Sequence, residues 1–253
     1  MSRTLVALHA HPDDEALFTG ARLALAARDA QRTVVICVTD GSLGFDPEGR
    51  TPLEEGHDRA ATALVRSSEL CASCRELGVD RLVELGIPDS GMEGWASMAN
   101  PVALCNLDPE ALGAQIAEVL KAEGPVTILT YADDGFYGHP DHVAVHRVAL
   151  ATARLLPDAE VEAVVMTPEG IDAALDAARR EGGLLPEWLG RRLVVPHDEA
   201  EVVHTTHGAS VASAKQRAVA CHESQLDNAV LAAMAPGLFA AVFGTERYVR
   251  VDV

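Results

Sequence analysis

The stretch TLVALHAHPDDEALFTG, residues 4–20, opens as an apolar run and then places His11, Asp13, Asp14 and Glu15 within five positions. TLVALHA has the length and unbroken apolar character of a buried strand. Three consecutive carboxylates at its end repel one another and desolvate poorly. The end of this strand therefore calls for a positive partner.

Working outward, the same apolar-run-then-polar-loop pattern recurs. Strands are expected at 4–10, 33–39, 81–85, 125–131 and 160–166, and helices at 15–29, 57–77, 109–122 and 140–155. Residues 168–208 are less regular, with RRLVVP (191–196) the best strand candidate. A helix over 209–222 and a last strand in ERYVRVDV close the chain. Alternation of this kind predicts an α/β fold with a mostly parallel sheet and helices on both faces. The 253 residues show no internal repeat, low-complexity run or linker, which predicts a single domain over 1–253.

Composition narrows the partners. The formal charge of −18, with lysine only at positions 121 and 215, disfavours nucleic acid and anionic membrane surfaces. RTVVICV and PVTILTY are strand-length and far short of a membrane span. No charged-then-apolar signal segment opens the chain, so a cytoplasmic protein is expected. A homo-oligomer is left open. The five cysteines are scattered; Cys71 and Cys74 form a CxxC inside a helical pattern, where half-buried packing is the expected role.

In an open α/β sheet, ligands sit beyond the carboxyl ends of the strands. The loops that converge there carry HPDDE, TDGSLG, GIPDSGM and DDGFYGHPDH. There is no GxGxxG after the first strand and no GxxxxGK[ST] anywhere, and crowded acids would repel a diphosphate. AHPDDE instead offers His11 and Asp14, while GHPDHVAVH offers His139, His142 and His146. A divalent metal answers the crowded carboxylates. Two nitrogens and one carboxylate leave an open position, as in catalytic rather than structural zinc sites, where a coordinated water can lose a proton near neutral pH. A spare carboxylate can take that proton, and a spare histidine can steady an oxyanion.

AHPDDE followed by GHPDH resembles the PIG-L/LmbE-like family of zinc-dependent N-acetyl-sugar deacetylases, whose fold is Rossmann-like. VRSSEL with Arg66 and Glu69, PDSGM at 88–92 and KQRAVACHESQ at 215–225 extend the resemblance towards the mycothiol-pathway branch. Members of that branch deacetylate a glucosamine–inositol or cleave mycothiol conjugates. The resemblance implies Zn2+ held by His11, Asp14 and His142, and a set of carboxylate and imidazole also accepts Fe2+. The resemblance also implies Asp13 as general base, His139 as oxyanion stabiliser and proton donor, and Asp141 as the group holding the His139 ring. Tyr137 falls where the mycothiol-pathway deacetylase has a mobile tyrosine, and Arg66 and Asp89 fall where that branch contacts sugar hydroxyls. The implied partner is a small amino-sugar. Residues 93–108 and 168–208 match nothing in the pattern and are expected to build the far wall of the pocket.

Plainer readings stand beside these. His146, four residues after His142 on one helix face, is a rival ligand. Asp141 can serve as a helix first-turn acid after Pro140. Arg66 can pair with Glu69, and Asp89 can cap the DSG turn. His222, Ser224 and Gln225 read as a packing and hydrogen-bonding element. Two functions compete with the deacetylase: an amidase cutting a larger acyl–amine bond of a mycothiol-type conjugate, and a carbohydrate-binding protein without turnover.

Overall fold

β1 (Thr4–His9) is buried at every position and occupies an inner place in a seven-stranded sheet. The computed structural model describes residues 3–181 and 195–253. β1 pairs in parallel with β2 (Thr33–Thr39) on one side and β4 (Val126–Tyr131) on the other. β3 (Arg81–Ile87) lies beyond β2 and β5 (Glu160–Val165) beyond β4, both parallel to their neighbours. β7 (Thr245–Val251) returns antiparallel to β5 and carries β6 (Val202–His207) at the edge. The order is β3-β2-β1-β4-β5-β7-β6, so the chain winds outward one way from β1 to β3 and the other way from β4. Right-handed crossovers in opposite directions place helices on opposite faces, and they open a crevice between β1 and β4. The expected α/β class, with its mostly parallel sheet, is the one observed.

The helices begin and end on local signals. α3 (Arg59–Leu77) starts on Asp58, whose side chain accepts from the Ala61 N–H, and stops at Gly78 in the left-handed region. α4 (Pro109–Leu120) follows Asp108 as cap, with proline in its first turn. The β4 end leads into a tight turn, α5 (Gly135–Gly138), and then α6 (Pro140–Arg154), capped by His139. The CxxC lies on α3, with Cys74 buried, Cys71 half-buried and both thiols free. Among the described residues no single helix is long and apolar enough to cross a membrane.

One expected helix is two. Residues 15–29 divide at Thr19 into α1 (Asp14–Phe18) and α2 (Gly20–Arg28). Glu246 from β7 accepts hydrogen bonds from the Ala21 and Arg22 N–H groups, so α2 gets a fresh N-terminal anchor from a distant strand. Lys215 forms a buried ion pair with the same carboxylate at 2.7 Å. Removing one partner would leave an uncompensated buried charge, a loss of about 3–5 kcal/mol.

The carboxy-terminal half also departs from expectation. The irregular 168–208 region holds an amphipathic helix, α7 (Pro168–Glu181), as well as β6. RRLVVP lies mostly outside the described residues, and Val195 and Pro196 are irregular. The helix expected over 209–222 is shorter, α8 (Ala212–Ala220), and two unanticipated helices follow, α9 (Leu226–Ala232) and α10 (Pro236–Phe243).

Candidate active site

Both histidine-bearing motifs sit at the crevice between β1 and β4. β1 delivers His11, Asp13 and Asp14; β4 leads through α5 into His139, Asp141 and His142. The buried triangle they form is nearly equilateral. His11 Nδ1 lies 3.4 Å from Asp14 Oδ2, Asp14 Oδ2 lies 3.5 Å from His142 Nε2, and His142 Nε2 lies 3.3 Å from His11 Nδ1. Ligands about 2.0–2.1 Å from a zinc ion stand roughly 3.3–3.4 Å apart when tetrahedral. The three side chains therefore fit one face of a metal's coordination shell.

The two rings are fixed through their outer nitrogens, and Asp14 through its Oδ2 corner itself. His11 Nε2 faces Asp141 Oδ2 at 3.3 Å, and His142 Nδ1 faces the Gly135 carbonyl at 3.2 Å. Asp14 Oδ2 accepts from the His11 N–H at 2.8 Å and from the Tyr131 hydroxyl at 2.5 Å. Partners of this kind hold ligand rings in one tautomer and orientation. His139 also lies within coordinating distance of His11 and His142, and Asp89 and Asp141 gather about His11. His146 turns away and bonds the Tyr131 carbonyl at 2.8 Å.

The electrostatics show the same demand for a cation. Burial alone would depress His11, yet Asp89, Asp14 and Asp141 push its imidazole well above the ordinary range. Burial works to raise Asp14, but His142 and His11 hold it well below a normal carboxylate. A divalent ion meets this demand.

Asp13 stands beside the triangle in a strained backbone, φ 120°, just before α1. Glu15 accepts from its N–H at 3.0 Å, and Glu15 is held in turn by Ser73 and by His222 at 2.8 Å. Burial raises the Asp13 carboxyl against the opposing pull of Arg66, and Asp14 raises it further. Arg66 is 4% exposed, so it is no surface cation. Its guanidinium donates to the Gly41 and Pro12 carbonyls and lies 3.2 Å from Asp13. Glu69, its suggested partner, accepts instead from Ser224. His222, Ser224 and Gln225 are the packing and hydrogen-bonding element anticipated, with Gln225 bonding the Phe45 backbone.

His139 caps α6: its Nδ1 accepts from the Asp141 N–H at 3.1 Å. Asp141 therefore holds the His139 ring by its backbone, while its carboxylate goes to His11 and to the Ser90 N–H. Burial, reinforced by His11 and His142, keeps His139 well below its ordinary pKa. A neutral ring whose Nδ1 accepts must carry its proton on Nε2.

These groups open onto one cavity of about 240 Å³, lined by His11, Asp13, Asp14, Arg66, Asp89, Tyr137 and His139 together with apolar side chains. Asp89 has both suggested places: its Oδ1 accepts from Gly91 N–H at 2.8 Å within the DSG turn, and it faces the cavity. Trp95, from the segment expected to form a wall, lines the cavity; among the described residues of 168–208, none does. The sequence reading missed Tyr131, Trp95 and Asn228.

Residues 6–153 match the family model described as PIG-L: GlcNAc-PI de-N-acetylase. The chain belongs to the PIG-L family. It is 35% identical over 246 residues to a Rhodococcus opacus (strain B4) protein named 1D-myo-inositol 2-acetamido-2-deoxy-alpha-D-glucopyranoside deacetylase, across 88% of this chain and 82% of that one. Among solved structures, the Pyrococcus horikoshii N,N'-diacetylchitobiose deacetylase superposes with a TM-score of 0.59 at 17% identity, covering 99% of this chain and 84% of that one. The 4-carboxy-2-hydroxymuconate hydratase GalB of Pseudomonas putida KT2440 superposes at 0.62 and 16%, covering 99% and 97%. One PIG-L-like fold thus carries both a deacetylase and a hydratase, and the reaction has to be argued from the site.

Proposed function

We propose that this PIG-L protein is a metal-dependent hydrolase that removes the acetyl group from an N-acetylglucosamine-type sugar linked to inositol or a related polyol. The observation that carries this reading is the His11–Asp14–His142 triangle, whose His11 and Asp14 line one cavity together with Asp13 and His139. A divalent ion held by the three residues of the triangle would supply Lewis acidity to an amide carbonyl and would acidify water. Two imidazoles and a carboxylate suit zinc, and iron(II) accepts the same set.

The chain's own groups divide the remaining work. Asp13, its carboxyl raised by burial, takes a proton from the attacking water and returns it to the leaving amine. His139 donates its Nε2–H to the oxygen that becomes anionic, a role that needs a neutral imidazole with a fixed tautomer. Tyr137 and Asp89 face the same space and contact the substrate there, and Trp95 supplies a flat apolar wall. Arg66 has most of its donors committed to the protein, so its part is chiefly to hold Asp13.

The curated relative's name favours deacetylation over cleavage of a larger acyl group. The test is release of free amine by metal-loaded protein from three substrates: N-acetylglucosamine, N-acetylglucosaminyl-inositol and a mycothiol conjugate. The inositol conjugate should react fastest. Amine from the mycothiol conjugate alone would make the protein an amidase, and binding without amine release from any of them would make it a carbohydrate-binding protein.

A further inference from the structure

Asp13 meets two protein groups on one oxygen, one by a hydrogen bond and one by an ion pair. Asn228 Nδ2 donates to Oδ2 at 2.9 Å, and Arg66 Nη2 lies 3.2 Å from the same atom. No donor to Oδ1 is found among the described residues, and Asp13 lines the cavity. The two groups arrive from separate elements, Arg66 from α3 and Asn228 from the first turn of α9. Asn228 is 3% exposed, and its own N–H is bonded to the Gln225 carbonyl at 3.0 Å. Gln225 in turn bonds both backbone polar groups of Phe45. The amide is thus presented from a braced position.

A carboxylate turns easily about its last torsion, which is broad and two-fold. One donor leaves that rotation open, and Arg66 already shares its guanidinium with Pro12 and Gly41. A second donor from another direction fixes the plane. A neutral amide does this without the anion stabilisation that another cation would bring, which would weaken the base.

We propose that Asn228 is a positioning residue for the base: its amide holds Asp13 Oδ2 so that Oδ1 faces the cavity. This rests on Asp13 being the base, and the experiment separates the two claims. Asn228→Ala, Asn228→Asp, Asp13→Asn and the double variant Asp13→Asn/Asn228→Ala are compared, metal-loaded, for kcat, KM, metal content and melting temperature. Asn228→Ala should lower kcat roughly 10- to 100-fold, the scale of a misplaced catalytic group, with KM and metal content unchanged. Asn228→Asp keeps the shape but replaces the donor with an acceptor, and should lose at least as much; a packing role would spare it. In the Asp13→Asn background, Asn228→Ala should add nothing, because residues acting as a unit are not additive. Wild-type kcat in Asn228→Ala, or a full further loss in the double variant, overturns the proposal while leaving Asp13 as the base. Near-normal turnover by Asp13→Asn overturns both.

Discussion

Tyr131 lies flat against His142, ring planes 2° apart and centroids 3.9 Å apart, while its hydroxyl reaches past that ring to Asp14 at 2.5 Å. The last residue of β4 thus steadies two of the three proposed metal ligands, one by stacking and the other by a hydrogen bond. The hydroxyl also accepts from the Ala10 N–H at 2.9 Å, which ties β1 to β4 just where the two motifs meet.

Tyr131→Phe keeps the stacked ring and removes only the hydrogen bonds. Groups that support a ligand in this way typically contribute about 10- to 100-fold to metal affinity. Metal affinity should fall by that factor in a competition titration against a chelator, with the fold retained. Unchanged affinity would mean that Asp14 is oriented without Tyr131.

His142 and His146 give a direct contrast on one helix face. His142 points into the triangle, whereas His146 bonds the Tyr131 carbonyl. Elemental analysis should find metal largely lost from His142→Ala and retained in His146→Ala. Loss from His146→Ala with retention in His142→Ala would transfer the ligand role.

The proposed ligands were legible because their signal is local. A buried strand that ends in HPDD and a helix that begins in HPDH place their polar groups by secondary structure alone. What was hidden depends on chain crossings. Tyr131 meets Asp14 across 117 positions and Asn228 meets Asp13 across 215, and neither spacing leaves a local pattern. The break at Thr19 was hidden for the same reason, since Glu246 anchors α2 from 225 positions away. Asp141 shows a subtler limit: its position next to the histidines was plain, but which histidine its carboxylate meets depends on how α6 docks against β1. Helices α9 and α10 follow a motif already read as packing; the Pro236–Gly237 pair that opens α10 is a local start signal, but it stands in a short Ala-rich stretch with no clear helical period.

The loop over the cavity is pinned by Asp46, one residue after Phe45. Asp46 is fully buried and accepts from the Glu48 and Arg50 N–H groups and from the Arg50 side chain. Burial opposes its ionisation, yet these bonds to Arg50 and one from the Asp58 N–H hold its pKa at about 2. The unfolded chain protonates the same group near ~3.9. Between these values the unfolded state binds more protons, so this contribution is complete above about pH 4 and is lost as pH falls through about 2. Asp46→Asn should therefore flatten the dependence of melting temperature on pH across that window. The comparison uses metal-free protein, so that metal release adds nothing. Parallel curves for the two proteins would show that Asp46 is not held in its ionised form.

His139 yields the prediction closest to the chemistry. The Asp141 N–H occupies its Nδ1, which leaves Nε2 as the donor on a ring that lines the cavity. The ring is also half of a stacked pair with His142, 4.8 Å between centroids, so its orientation is set on two sides. A donor that meets charge only as the oxygen becomes anionic acts on kcat rather than on substrate binding. His139→Ala should lower kcat by about 10²–10³-fold, the usual cost of one lost oxyanion donor, with a small change in KM. His11, Asp14 and His142 remain in that variant, so its metal content should match the wild type. Metal loss in His139→Ala would instead make His139 a ligand, as its place within reach of His11 and His142 would allow, and the donor would then have to be sought in Tyr137.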